Sequence, residues 1–478
     1  MCKQCSGLRG GFSRRDVLLT AASTGLAGSL LRSGVSLAAG ADHPTSVSAG
    51  NPTVMAVFLR PREKYWLGWP GTAWDVEGFV KKAKEAVARF AGELKVDIKW
   101  EAEPLYDDAA VDAFVNKIKQ DKPQGVLVFP LHMEYWGNVG KIAKAGEPTL
   151  IFAPLGICFT GHIQTLSRQP KVYLASCGDF EFQPVRFALK MVRANHDIRH
   201  TKVAVLVGKN TGEQVLEPLG LSIRHLPRSR FPEVLKTVEL NDEVRAIVDD
   251  YKKSAAKIVE PGEEDLVNAA KNYVTAAKIM AEEGCQGISL ECLGLVVEKI
   301  MTCPPCMAWS KLLDAGVSAT CEADVNAVMS QELCLKLLGK PGFVQDPVPN
   351  TVDNTFIGAH CVCATRLNGP DKDRAKFILR SHSESNLGVS VQVIWPVDTE
   401  VTIMQFVGPG KMILGQGKVL RNFDTPPAGG CRTSVELAID GPADTRDTKG
   451  FHQLFIAGKH MRDFQAYGQL YGIATEHI

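Results

Sequence analysis

The chain has 478 residues, 45% of them hydrophobic and 22% charged, with a net charge of +1. That length implies two to three domains of ordinary globular composition. The near-neutral balance, and the lack of any Lys/Arg run interleaved with aromatics, argue against nucleic acid or an anionic membrane surface as a partner.

Residues 1–41 read as an export signal. Arg14-Arg15 followed by Asp16-Val17-Leu18-Leu19 resembles a twin-arginine signal, and a weakly apolar Gly/Ala/Ser-rich stretch leads to Ala39-Gly40-Ala41 before Asp42. The stretch is too short and polar to cross ~30 Å of hydrocarbon, which needs ~20 apolar residues. The segment carries five basic groups and one acid, which leaves the rest of the chain at −3. No later run reaches 18 apolar residues. The expectation is a soluble protein, periplasmic or otherwise extracytoplasmic, with no membrane contact after cleavage.

From residue 53 short apolar runs alternate with amphipathic ones. "TVMAVFLRP" predicts a strand, "VEGFVKKAKEAVARFAGEL" a helix, "KVDIKWEAEP" a strand and "DAAVDAFVNKIKQDKP" a helix. "QGVLVFPL", "WGNVGKIAKAG" and "PTLIFAPL" continue as strand, helix, strand. Such alternation implies a parallel sheet with right-handed crossovers. "KVYLASCGD", "PVRFALKMVRANHDI" and "TKVAVLVG" repeat the pattern near residue 170, and further helices lead to the strand "CQGISLECLG" and the helix "PCMAWSKLLDAG". "SATCEADVNAVMS" reads as a helix start, with Ser318 and Thr320 as caps. Beyond residue 340 the period becomes two, as in "GVSVQVIWPVDTEVTIMQFVGPGKMILGQGKVL", and a strand, turn and helix close the chain. The predicted fold is α/β: two Rossmann-like parallel-sheet domains over 50–168 and 169–345, then a smaller β-rich domain over 346–478.

Thirteen cysteines are present, Cys2 and Cys5 within the signal. The other eleven are an odd number and cannot all pair within one chain. Their apolar contexts predict mostly buried free thiols. Cys303-Pro-Pro-Cys306 leaves a redox role open, and Cys303, Cys306, Cys361 and Cys363 leave a zinc site open.

Acids and histidines stand out at four places. Glu291 ends the apolar run "QGISLECL", where a carboxylate needs a partner or a metal. Glu322 and Asp324 have no Lys or Arg within six residues on either side. His360 follows the small-residue strand "FIGAHC", and His452 opens the last strand. Each has a plain structural alternative: a paired acid, a helix cap, a hydrogen-bonded core histidine. Together they form a mixed oxygen/nitrogen donor set suited to Mn²⁺, Mg²⁺, Co²⁺ or Fe²⁺. Trp69 and Trp136, in the aromatic loops "RPREKYWLGWPGTAW" and "PLHMEYWGN", are candidates for stacking on a sugar or for packing.

From about residue 285 to 478, "SLECL", "CEADVNA", "DNTFIGAHC" and "GFHQLFIAGKHMRDFQAYGQLYGI" resemble the carboxyl half of the L-fucose isomerase and L-arabinose isomerase superfamily. "CEADVNA" is the most specific piece. The resemblance implies a metal-dependent aldose–ketose isomerase working through an enediol, with Mn²⁺ or another divalent cation such as Mg²⁺ or Co²⁺. It implies Glu291 and Asp324 as proton-transferring acids. It draws the metal ligands from Glu291, Glu322, Asp324 and His452, with His360 beside the substrate. It also implies a homo-oligomer acting on a small sugar. Two features depart from the family: the export signal, and Cys292 directly after Glu291. An exported sugar-binding protein on an isomerase scaffold, without turnover, is the alternative.

Overall fold

The structure, a computed structural model, describes residues 50–65, 74–178, 181–424, 431–441 and 444–478. The expected export signal and Trp69 lie outside the described residues. The first region runs β1 (Thr53–Leu59), α1 (Val76–Leu94), β2 (Asp97–Trp100), α2 (Asp108–Asp121), β3 (Gly125–Pro130), α3 (Trp136–Ala143), β4 (Thr149–Pro154), α4 (Thr160–Ile163) and β5 (Val172–Cys177). All five strands are parallel, in the order β2-β1-β3-β4-β5. The helices form where their apolar spacing predicts. In α1, Phe79, Ala83, Val87 and Phe90 bury one face, and the Asp75 carboxylate caps the start by accepting the Gly78 N–H at 2.9 Å.

β5 corrects the expected boundary at residue 169. Rather than opening a second unit, Val172–Cys177 pairs with Thr149–Pro154 of β4 and completes the first sheet. Its burial shows why it reads ambiguously: Val172 is buried, but the rest of this edge strand is only half-buried. The chain leaves the sheet afterwards, through α5 (Gln183–Arg199).

The second region follows as β6 (Lys202–Leu206), β7 (Gly212–Leu216), β8 (Leu221–Leu226), α6 (Arg230–Leu235), α7 (Asp242–Ser254), β9 (Lys257–Ile258), α8 (Glu263–Glu283), β10 (Gly287–Leu290), α9 (Cys292–Val297), α10 (Cys306–Asp314), β11 (Ser318–Cys321) and α11 (Val325–Leu338). Its sheet order is β11-β10-β6-β8-β7, parallel except for β7, which returns antiparallel to β8. Ser318–Cys321 is therefore a fully buried strand paired with β10, and Ser318 and Thr320 cap no helix. The helix begins at Val325, with Asp324 as its cap.

The remainder consists of β12 (Phe343–Asn350), β13 (Thr355–His360), β14 (Phe377–Arg380), β15 (Ser390–Val393), β16 (Glu400–Phe406), β17 (Lys411–Asn422), β18 (Thr433–Asp440), β19 (Gln453–Ala457), α12 (Met461–Tyr471) and β20 (Ala474–His477). Strands β16, β19, β12, β13, β18 and β17 pair antiparallel in that order, and the β16–β17 pairing closes them into a barrel. Closure leaves few open edges. β14 pairs with β15 and with β9 of the second region, tying the two together.

The fold is thus mixed α/β with parallel-sheet regions and a C-terminal antiparallel β-barrel. Asp42–Ile478 forms one compact unit. One apolar core includes Val54 of β1, Leu189 of α5, Val205 of β6, Val328 of α11, Met404 of β16 and Phe464 of α12, so the three expected domains share a core. Among the described residues no helix is long and apolar enough to cross a membrane.

Candidate metal centre

β11 ends at Cys321, and the next two residues leave regular backbone. Glu322 has φ 61° and Ala323 φ 56°, both left-handed. For residues with a Cβ that conformation costs about 1–2 kcal/mol each, and two in succession persist only where the surroundings enforce them. The turn delivers Asp324 to the N-cap of α11. Its Oδ1 accepts from the N–H groups of Asn326 at 2.7 Å and Ala327 at 3.3 Å. Its Oδ2 lies 2.9 Å from His452 Nδ1. An ionised carboxylate only accepts, so the Nδ1 carries a proton, and in the neutral ring Nε2 keeps its lone pair.

His452 is itself left-handed, at φ 55°, just before β19. The barrel register explains its neighbours. Gln453 pairs with Gln345, which sets His452 beside Asp346, and Asp346 pairs with Ala359, which sets His360 next in line. Three adjacent strands, β19, β12 and β13, thus bring an imidazole, a carboxylate and a second imidazole to one end of the barrel. The carboxyl end of β11 adds Glu322, at the edge of a parallel sheet where ligands commonly bind. His452 Nε2 is 3.3 Å from Asp346 Oδ1 and 3.6 Å from Glu322 Oε2. One donor atom each from Glu322, His360 and His452 lie within 4.8 Å of one another. The two imidazoles meet edge to face, with centroids 5.8 Å apart.

The electrostatics of this cluster are unbalanced. His452 Nε2 and Asp346 Oδ1 are buried, and neither makes a hydrogen bond among the described residues. Such orphaned buried groups cost about 1–3 kcal/mol each. Burial pushes the Asp346 carboxyl up to about 6, although the His452 charge acts against the rise. Burial holds the His360 imidazole down at about 4, so that ring is neutral. In His452 burial opposes the charged form. The Asp324 hydrogen bond and the charges of Asp346 and Glu322 outweigh it, and the pKa rises. Burial also raises the Asp324 carboxyl, but bonding to His452 brings it below the usual range.

The residues fit a divalent cation. Two carboxylates and two imidazoles make a mixed oxygen/nitrogen set. A histidine that gives its far N–H to a carboxylate while its other nitrogen faces an acid has the orientation typical of a metal ligand. Asp324 thus stands behind His452 as its orienting group. Asp346 was not singled out from the sequence. In "FVQDPVPN" it is one acid between an apolar strand and a proline, and only the register with His452 reveals its role.

Glu291 is not brought into this cluster. It follows β10 directly, its Oε1 lies 3.1 Å from Arg228 Nη1, and its Oε2 accepts the Gly208 N–H at 2.9 Å. Arg228 clamps Glu298 as well, at 2.6 and 2.7 Å. Trp136 is a packing residue: it is 6% exposed within the core of the first region, and its indole N–H donates to the Ile157 carbonyl at 3.0 Å. The eleven cysteines of the described residues are free thiols, eight of them buried. Burial pushes the Cys303 thiol up to about 12 and raises Cys306 as well, the opposite of an activated Cys-x-x-Cys pair. Cys303, Cys306, Cys361 and Cys363 do not converge as a ligand set among the described residues.

No protein-family model and no curated protein matches the chain. Among solved structures, it is similar to a periplasmic solute-binding protein of an ABC transporter from Actinobacillus succinogenes 130z, with bound D-allose. Identity is 10%, the match covers 53% of this chain and 84% of the other, and the TM-score is 0.18. A likeness of that size carries no argument about fold or function.

Proposed function

We propose that the protein is an exported, divalent-metal-dependent aldose–ketose isomerase of the fucose/arabinose type, acting on a small sugar through an enediol. One observation carries this reading: the buried, orphaned Nε2 of His452, held by Asp324 and facing Asp346, Glu322 and His360. Glu322, Asp346, His360 and His452 would hold Mn²⁺, or Mg²⁺ or Co²⁺ in its place. When bound, the cation supplies Lewis-acid polarisation of the sugar carbonyl and charge neutralisation at the adjacent oxygen.

The chain's own residues do the rest. Hydrogen transfer between C1 and C2 needs a base for the proton on carbon and an acid for the developing oxyanion. Asp346 and Glu322 both line the neighbouring cavity and both face His452 Nε2, so the two carboxylates are placed to share those tasks. Asp324 holds the His452 imidazole in one tautomer and one orientation. In this account the two parallel-sheet regions are Rossmann-like lobes framing the sugar, and a second copy of the chain completes the enclosure.

A second reading, a metal-dependent sugar-binding protein without turnover, draws on Glu291. The acid that the isomerase resemblance assigns to proton transfer is occupied by Arg228 and the Gly208 N–H. The test is to strip the purified protein of metal, reload it with Mn²⁺ and incubate it with a panel of aldoses in D₂O. Ketose carrying solvent deuterium is the expected result. Sugar binding by calorimetry, with neither ketose nor exchange, would replace the isomerase by the binding protein.

A further inference from the structure

The cavity beside the metal centre holds about 470 Å³ of free space, within the ~300–1,000 Å³ of small-molecule sites. Its walls are unlike. Glu322, Asp346 and His360 form the metal end, and Leu293, Val296 and Pro304 form an apolar side. His382 and Glu384 add two polar groups that the proposed reaction does not use. No Lys or Arg is among the described lining residues, so an acidic or phosphorylated ligand would find no cationic side chain there.

Both polar groups come from one loop, residues 381–389, between β14 and β15. The loop is held at several points. The Arg432 guanidinium donates to the Ser381 carbonyl at 2.7 Å and to the Ser381 hydroxyl at 3.0 Å. The His382 N–H donates to the Leu387 carbonyl at 3.0 Å, and the Asn386 N–H returns to the His382 carbonyl at 2.8 Å. Gly388 is left-handed, at φ 57°, and a Cβ there would lie 2.6 Å from Cys303 Sγ and 3.0 Å from Pro304 Cδ. Glycine permits this approach, and it seats the loop on the cavity's own wall. Side chains carried on such a loop are pre-organised, so a ligand loses little by ordering them.

The hydrogen bonding of His382 decides what it offers. Its Nδ1 accepts the Ser385 N–H at 3.3 Å and lies 3.0 Å from the Ser385 hydroxyl. An Nδ1 that accepts carries no proton, so the ring N–H is at Nε2. That N–H has no acceptor among the described residues, and the side chain lines the cavity. Glu384 is the complement. It is exposed, it lines the same cavity, and it makes neither a hydrogen bond nor an ion pair among the described residues. A donor and an acceptor two residues apart suit the hydroxyls of a sugar, each of which can both give and take a hydrogen bond.

We propose that His382 and Glu384 form the sugar-selecting wall of the site: the Nε2–H of His382 donates to, and the Glu384 carboxylate accepts from, hydroxyls of an aldose whose carbonyl end lies at the metal centre. This rests on the isomerase reading above and adds to it the residues that choose among aldoses. An aldose that turns either hydroxyl away leaves one of these groups unpaired in the complex and binds more weakly.

The experiment measures, by calorimetry, the binding of L-fucose and of L-arabinose to the full chain reloaded with Mn²⁺. It compares the unmodified protein with His382→Asn, His382→Gln and Glu384→Gln. In His382→Asn the side-chain oxygen can still accept the Ser385 N–H, but the donor at the far end of the ring is gone. His382→Gln keeps an N–H at that reach and loses the acceptor. The sugar that the unmodified protein binds should bind at least about tenfold more weakly to His382→Asn and Glu384→Gln, and within about threefold as well to His382→Gln. Where turnover is seen, the loss should fall in KM more than in kcat. The reverse order, with His382→Asn unaffected and His382→Gln weakened, would reduce His382 to a loop cap and overturn the assignment. Unchanged binding in all three variants, or binding of neither sugar to the unmodified protein, would overturn it as well. Weakened binding in a protein that forms no ketose would support the wall and sink the isomerase, so the two failures are distinguishable.

Discussion

β10 and β11 lie side by side, parallel and in register from Gly287 opposite Ser318 to Leu290 opposite Cys321. Each is followed by a glutamate and then by a helix. The two acids end in different places. Glu291 keeps ordinary backbone, at φ −68°, and its carboxylate is answered by Arg228 and the Gly208 N–H. Glu322 takes a left-handed backbone and faces a buried imidazole instead. The carboxyl end of a buried strand therefore does not by itself decide what an acid faces. What decides is the partner supplied from elsewhere in the chain: a guanidinium completes one charge, and an unfinished cluster surrounds the other.

Three substitutions sharpen that contrast, in order of expected effect. Asp324→Asn keeps a good N-cap but weakens the hold on His452. Metal affinity measured by competition with a chelator should fall about 10–100-fold, the range for losing a histidine's orienting carboxylate. Unchanged affinity would reduce Asp324 to a helix cap. Asp250→Asn supplies the structural counterpart, an ion pair of the completed kind. Asp250 Oδ2 lies 2.7 Å from Arg374 Nη2. Burial raises the Asp250 carboxyl, but the Arg374 hydrogen bond and charge outweigh it and the pKa falls below 3.8. The pair's stabilisation is therefore fully present above the ordinary carboxylate range and is lost as pH falls through the depressed value. Asp250→Asn should lower stability at neutral pH by about 1–2 kcal/mol and flatten the acid limb of a denaturation-versus-pH curve, with metal content unchanged. Ala323→Gly has the smallest effect. Releasing one left-handed residue should raise stability by about 1 kcal/mol or slightly less in urea denaturation. A loss of stability would show that the Ala323 methyl matters more than its backbone.

The sequence makes the layered parts of the fold plain and the junctions obscure. α1 and α2 are long enough for helical spacing to show, and the expected runs match Val76–Leu94 and Asp108–Asp121 closely. Ser318–Cys321 is four residues long, too short to display a period of two, so its serine and threonine read as caps although they are buried strand residues. The β7–β8 hairpin hides in "TGEQVLEPLGLSIRHL", because half of β7 is exposed and polar. At the site, the "CEADVNA" and "GFHQLFIAG" pieces point to Glu322, Asp324 and His452, and the structure places these three together. Asp346 depends on the pairing of β12 with β19, and the occupation of Glu291 depends on Arg228, 63 residues earlier. Both are long-range facts that no local pattern carries.

The most direct measurement is the metal content of two single variants, Glu322→Gln and Glu291→Gln, purified alike, reloaded with Mn²⁺ and analysed by elemental mass spectrometry. The account predicts that Glu322→Gln loses the bound ion and that Glu291→Gln keeps it at the stoichiometry of the unmodified protein. Retention in Glu322→Gln with loss in Glu291→Gln would contradict it, and would move the metal centre from the end of β11 to the end of β10.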